Sequence, residues 1–100
     1  MRVIALKSLR AFWQRHPAAE RPLRAWYDEV SRANWHSTAD VKRQFRHASI
    51  LSSHRVVFNI KGNDYRLVAA LAYNTGVLFV KFVGTHADYD RIDAGTVEWR

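Results

Sequence analysis

The chain has no cysteine. That excludes a disulfide framework and a thiolate metal site, and it fits a reducing compartment, so a cytoplasmic location is expected. No apolar run approaches the ~18 residues of a membrane span. With only two prolines and four glycines in 100 residues, there is no low-complexity tract or interdomain linker, and one domain over residues 1–100 is expected. Acids are scarce, nine against sixteen Lys and Arg. They are too few and too scattered for a two-metal nuclease. His16, His36, His47 and His54 show no paired ligand spacing, so no zinc site and no metal is expected. GxSxG, P-loop and dinucleotide fingerprints are missing too, and no cofactor is expected.

What is present is apolar and basic. The chain is 48% hydrophobic and carries four Trp, four Tyr and five Phe, enough to build a core rather than a disordered tail. The net charge is +7 and the pI near 10.4. Residues 1–66 hold thirteen of the basic side chains and five of the acids, a balance of +8, whereas residues 67–100 balance at −1. Such a field raises encounter rates with polyanions, and a pI above ~9 is the electrostatic footprint of nucleic-acid binding. The plainer reading of excess Lys and Arg is solubility. No stretch combines the wide basic and wide apolar faces of a membrane-surface helix.

The first nineteen residues contain no acid, a composition that can mimic a transit peptide. Their pattern is structural instead. Met1 to Ala5 alternates like a short strand, and Leu9, Phe12 and Trp13 share one helix face over Ser8–His16. A second helix is expected from about Ala18–Pro22 to Ala33, with Leu23, Trp26, Tyr27 and Val30 inward. Ser37 and Asp40 signal the start of a third, Thr38–His47, whose Ser37 oxygen should reach the amide three residues on. It buries Val41 and Phe45 and turns Lys42, Arg43 and Arg46 outward. Ala48–His54 reads as a connector.

Arg55–Ile60, Tyr65–Tyr73 and Val77–Val83 read as three antiparallel strands. Gly62-Asn63 marks a hairpin whose two residues tolerate positive φ. Thr85 is placed to cap a short helix from His86 to about Asp93. A loop at Gly62-Asn63 pairs Ile60 with Tyr65, Asn59 with Arg66, Phe58 with Leu67 and Val57 with Val68. Side chains alternate between faces. Val56, Phe58, Ile60, Tyr65, Leu67, Ala69 and Leu71 therefore meet the helices. Arg55, Val57, Asn59, Arg66, Val68, Ala70 and Ala72 form the other face, expected to be open. An odd pairing sum in the second hairpin puts Lys81 opposite Ala70 on that same face, which avoids burying an unpaired ammonium. His86 and Tyr89 follow just past the strand end.

An Arg, Lys, His and Tyr set suits metal-free cleavage of RNA. The 2′-OH attacks its own phosphate, so the protein supplies no nucleophile. Arg66 and Lys81 can neutralise the developing charge. His86 and Tyr89 are candidates for proton transfer. Asn59 can orient a phosphate or base edge, with Lys61, Arg55, Arg43 and Arg46 as further substrate contacts.

Two spaced motifs, F-N-I-K-G-N-x-Y-R-L-V and then T-H-x-x-Y-D about twenty residues on, resemble the HigB toxin family of the RelE superfamily. The resemblance extends from about Trp35 to Ile92. It implies a compact RelE-like α+β fold, with an N-terminal strand and two to three helices on an antiparallel sheet and a short C-terminal helix. It also implies a metal-independent endoribonuclease that cuts mRNA on translating ribosomes, with ribosomal RNA and a HigA-type antitoxin as partners. The matching positions are Asn59, Gly62, Asn63, Arg66, Lys81, Thr85, His86, Tyr89 and Asp90, of which Gly62 and Asn63 are read as turn formers only. A non-catalytic basic module binding RNA or the ribosome fits the same charge and fold.

Overall fold

The computed structural model describes residues 1–4 and 6–98. In chain order the elements are β1 (Arg2–Ile4), α1 (Leu6–Arg15), a 3-10 turn (Pro17–Ala19), α2 (Glu20–Ser31), α3 (Thr38–Gln44), β2 (Ser49–Ile50), β3 (Arg55–Ile60), β4 (Tyr65–Ala72), β5 (Val77–Thr85) and α4 (His86–Tyr89). This is an α+β fold with one sheet in the order β1-β5-β4-β3-β2. The β1–β5 pair is parallel and the others antiparallel, so the sheet is mixed. Ala5, expected to close the first strand, lies outside the described residues.

The helices pack on one sheet face because their apolar stripes have nowhere else to go. Leu9, Phe12 and Trp13 from α1 and Leu23, Trp26 and Val30 from α2 are buried there against Val56, Phe58, Ile60, Leu67, Ala69 and Leu71. Pro22 falls in the first turn of α2, where a missing N–H leaves nothing unpaired. The 3-10 turn at Pro17 separates the two helices. Trp35 stacks on Phe58, with ring centroids 6.2 Å apart.

Local expectations around α3 are corrected. The Ser37 side chain makes no capping bond. Asp40 instead accepts a hydrogen bond from the His36 amide at 2.8 Å, which holds its carboxyl below the usual carboxylate range. Helix α3 ends at Gln44, not His47. Its exit is closed when Lys42 Nζ donates to the Ala48 carbonyl at 2.5 Å, so Lys42 is not part of a free basic face. Within the expected connector, Ser49 and Ile50 pair with Val57 and Val56 as β2.

The first hairpin has the register read from its turn: Asn59 pairs with Arg66, Phe58 with Leu67 and Val57 with Val68. The positive φ angles, however, fall on Lys61 (53°) and Gly62 (64°) rather than on Gly62 and Asn63.

The second hairpin contains a feature that strand alternation alone does not predict. Ala70 pairs with Phe79, not with Lys81, and Ala69 with Val80. The register then shifts, so that Val68 pairs with Phe82 and Leu67 with Val83. Lys81 is the extra residue of a β-bulge. In a regular strand Val80 and Val83 would point to opposite faces. The bulge lets both be buried beneath the helices while Lys81 stays on the Arg66 face. Bulges commonly re-aim side chains in this way.

The face opposite the helices is not open along its length. The chain after α4 turns back over it, burying Val57, Val68 and Ala94 with Phe82, Tyr89, Ile92 and Val97 packed around them. The face stays accessible near Phe79, which is 39% exposed, and at exposed Asn59.

Candidate functional site

Arg66 stands near the start of β4, and its guanidinium is the centre of a small cluster. Nη2 donates to Asn63 Oδ1 at 2.8 Å and lies 3.2 Å from His86 Nε2. The Arg66 Cζ sits 5.1 Å from the Tyr89 ring centroid, a cation–π distance. His86 Nδ1 lies 3.3 Å from the Asp90 carboxylate.

Each member is positioned by a separate local device. Thr85 and Asp88 form a reciprocal capping box: Thr85 Oγ1 accepts from the Asp88 amide at 3.1 Å, and the Thr85 amide donates to Asp88 Oδ2 at 3.2 Å. This starts α4 at His86 and puts His86 and Tyr89 one turn apart on the same side. The His86 amide also donates to the Asp64 carbonyl at 3.2 Å, tying α4 to the first hairpin turn. Gly84, the partner of Arg66 across the sheet, has no side chain for a reason. A Cβ there would stand 2.6 Å from Phe82 Cζ and 3.0 Å from Asp88 Cβ.

Hydrogen-bond chemistry orders the cluster. A guanidinium has no acceptor, so in the Arg66–His86 contact the imidazole Nε2 must accept. The ring proton then belongs on Nδ1, facing Asp90. The chain of contacts runs Asp90, His86, Arg66, Asn63. Arg66 Nε is buried without a partner among the described residues.

The other expected site residues are distributed differently. Arg55 is a tether: its guanidinium is 13% exposed and pairs with Glu98 at 2.5 Å. It also donates to the carbonyls of Ala94 at 3.1 Å and Val97 at 2.7 Å. The Arg55 guanidinium is thus engaged by the returning chain. Lys81 is 24% exposed and pairs with the same Glu98 at 2.8 Å, so a single carboxylate bridges two cations. Both partners hold the Glu98 carboxyl below its ordinary range, Lys81 most strongly. Arg43 is 74% exposed and pairs with Asp40 at 3.3 Å. Lys61 pairs with Asp64 at 3.1 Å. Arg46 and Asn59 line a groove of about 640 Å³ beside the cluster, together with Phe45, His47 and Asn63.

Asn63 is more than a turn former, since it accepts from Arg66. Its offset of three residues from Arg66 across a tight turn was the available signal. Phe45 and His47 carried none, because their place follows from where α3 stops. Among the described residues no three His, Asp or Glu side chains come together as a metal site, and no helix is long and apolar enough to cross a membrane.

A mixed sheet with helices on one face and an Arg–His–Tyr cluster at a strand-to-helix junction defines a small basic α+β protein. The family model for HigB toxins, the RelE-like toxic component of a toxin–antitoxin system, matches residues 19–92. The chain belongs to that family. No curated protein matches it. As the toxic component of such a system, it has an antitoxin as its counterpart.

Proposed function

We propose that this toxin is a metal-independent endoribonuclease that cuts mRNA on translating ribosomes, acting in the cytoplasm and restrained by a HigA-type antitoxin. The Arg66–His86 contact of 3.2 Å carries the reading. It sets a permanent cation beside an imidazole nitrogen that is held as an acceptor. A phosphodiester with a neighbouring 2′-OH needs that pair of groups.

In this reading the scissile phosphate takes the place of His86 as a partner of Arg66. The guanidinium then stabilises charge developing on the phosphorus oxygens. His86 Nε2, released from Arg66, accepts the 2′ proton while Asp90 holds Nδ1. As the 2′ oxygen bonds to phosphorus, the P–O5′ bond breaks to leave a 2′,3′-cyclic phosphate, and Tyr89, whose ring underlies the guanidinium, is the remaining group to protonate the departing 5′ oxygen. Lys81 is the second cation, available to the RNA when Glu98 gives it up. Asn59 and Arg46 line the adjoining groove, and exposed Arg43 and Lys61 serve the encounter with the polyanion. Arg55 is left out of the substrate contacts because it fastens the C-terminal segment.

The test is induced expression with transcript-end mapping. Growth arrest with new transcript ends inside translated frames is the expected result. Arrest with all transcripts intact would instead mark a binding module that blocks translation without cutting. Ends distributed equally over untranslated regions would remove the ribosome from the mechanism.

A further inference from the structure

The groove beside Arg66 exists because β2 is short. It pairs only with Val56 and Val57, so the edge of β3 from Phe58 onward has no strand partner. The chain leaving α3 meets this edge through the His47 carbonyl, 3.5 Å from Asn59 Nδ2, rather than by strand pairing. The result is a cleft of about 640 Å³, within the ~300–1,000 Å³ range of small-ligand sites. Its lining is mainly apolar and includes half-buried Phe45, exposed Arg46 and His47, and the side-chain amides of Asn59 and Asn63.

The two amides are each half-used. Asn63 Oδ1 is taken by Arg66, which leaves its NH₂ group. Asn59 Nδ2 makes only a 3.5 Å contact to the His47 carbonyl, which leaves its oxygen. A donor and an acceptor thus flank an aromatic base, and Asn63 joins the groove directly to the guanidinium. A flat heterocycle with a polar edge, attached to a phosphate, matches that combination. Single-stranded RNA is bound in this way, with bases stacked on aromatic rings and hydrogen-bonded at their edges.

We infer that this groove is a nucleobase subsite, holding the base next to the phosphate bound at Arg66, with Phe45 as the stacking surface and Asn59 and Asn63 as edge contacts. The inference rests on the phosphate role proposed for Arg66 and adds to it a specific place for one base. It also assigns to Phe45 a role beyond core packing.

The two ideas separate in one titration. The full-length ¹⁵N-labelled protein is titrated with AMP, GMP, CMP and UMP, and in parallel with ribose 5-phosphate and inorganic phosphate. All should shift the signals of Arg66 and His86. Only the nucleotides should also shift Phe45–Ala48 and Asn59, and at least one should bind roughly tenfold or more tightly than ribose 5-phosphate, the scale of base–aromatic stacking. Phe45→Leu keeps an apolar side chain, and it should erase that advantage while leaving inorganic phosphate binding unchanged. Equal affinity for nucleotides and ribose 5-phosphate, with shifts confined to Arg66 and His86, would overturn the base subsite and leave the phosphate site standing. No shift with any ligand would overturn both. The ligand comparison in the unaltered protein decides the matter even if the variant fails to fold.

Discussion

Arg66 Nη2 and His86 Nε2, twenty residues apart in sequence, meet at 3.2 Å. Neither the strand that carries Arg66 nor the helix that carries His86 could make this contact alone. It requires β4 and β5 to be in register and α4 to start at the end of β5. Because an arginine side chain cannot accept a hydrogen bond, the contact also sets which imidazole nitrogen is the acceptor.

Arg66→Ala and His86→Ala should each abolish toxicity with the fold retained. Loss of a charge-stabilising donor costs ~10²–10³ in rate, and loss of a positioned acid–base group ~10²–10⁴. Arg43→Ala, on an exposed pair with Asp40, should weaken a salt-sensitive encounter and leave the chemical step alone. The checks are single-turnover cleavage of ribosome-bound mRNA and a melting curve for every variant. Stable Arg66 and His86 variants that still cut at near-native rates would show that the chemistry lies elsewhere.

The His86 ring should carry its proton on Nδ1. Side-chain ¹⁵N spectra taken well above the ordinary imidazole range of ~6.5 should show a protonated Nδ1 and an unprotonated Nε2. In Asp90→Ala, where the 3.3 Å partner of Nδ1 is gone, the two tautomers should mix. A ring protonated on Nε2 in the unaltered protein is incompatible with the Arg66 hydrogen bond.

Gly84→Ala should destabilise the fold by about 1–3 kcal/mol, as overpacking does. The new Cβ would meet Phe82 Cζ at 2.6 Å and Asp88 Cβ at 3.0 Å, and Asp88 is locked in the capping box. Thermal unfolding measures this, at roughly 4–8 °C per kcal/mol for a domain of this size. An unchanged melting temperature would mean that α4 moves away from β5 at little cost.

Acid should loosen the C-terminal segment before the core. Lys81 and Arg55 hold the Glu98 carboxyl below its ordinary range, so its folded value is depressed relative to the unfolded chain. The stabilisation is therefore present above the unfolded value of ~4.3 and is lost as pH falls through the lower folded value. Hydrogen exchange at Thr96 and Val97, whose amides donate to the Asp93 carbonyl in the segment that Arg55 fastens, should accelerate in that window. Glu98→Gln should show fast exchange at neutral pH and little further change in acid. Equal acid sensitivity in Glu98→Gln would assign the effect to another carboxylate.

Elemental analysis of the purified protein should find no stoichiometric transition metal. The expectation comes from the lack of cysteine and of any converging ligand group among the described residues. One bound zinc or manganese per chain would require a different site and a different mechanism.

Strand periodicity and one turn signal were enough to place the buried face of the sheet and the Asn59–Arg66 pair, because side-chain direction along a strand is local geometry. The stripes of α1 and α2 were legible for the same reason. So was the start of α4, where Thr85 and Asp88 interact within four residues of each other.

Other features depended on contacts between segments far apart in the chain. The bulge at Lys81 arises because Val80 and Val83 both need burial, a demand set by the helices and not by the strand. The Arg66–Asn63 hydrogen bond across the turn accompanies a positive φ at Lys61 and Gly62. The roof over the second sheet face, and with it the binding of Arg55 and Lys81 by Glu98, depends on the chain after α4 folding back. Residue types and local spacing thus determined which groups were available for chemistry and on which face they began. Tertiary packing decided which of them stand together with a free valence, because burial and ion pairing are settled between elements rather than within them.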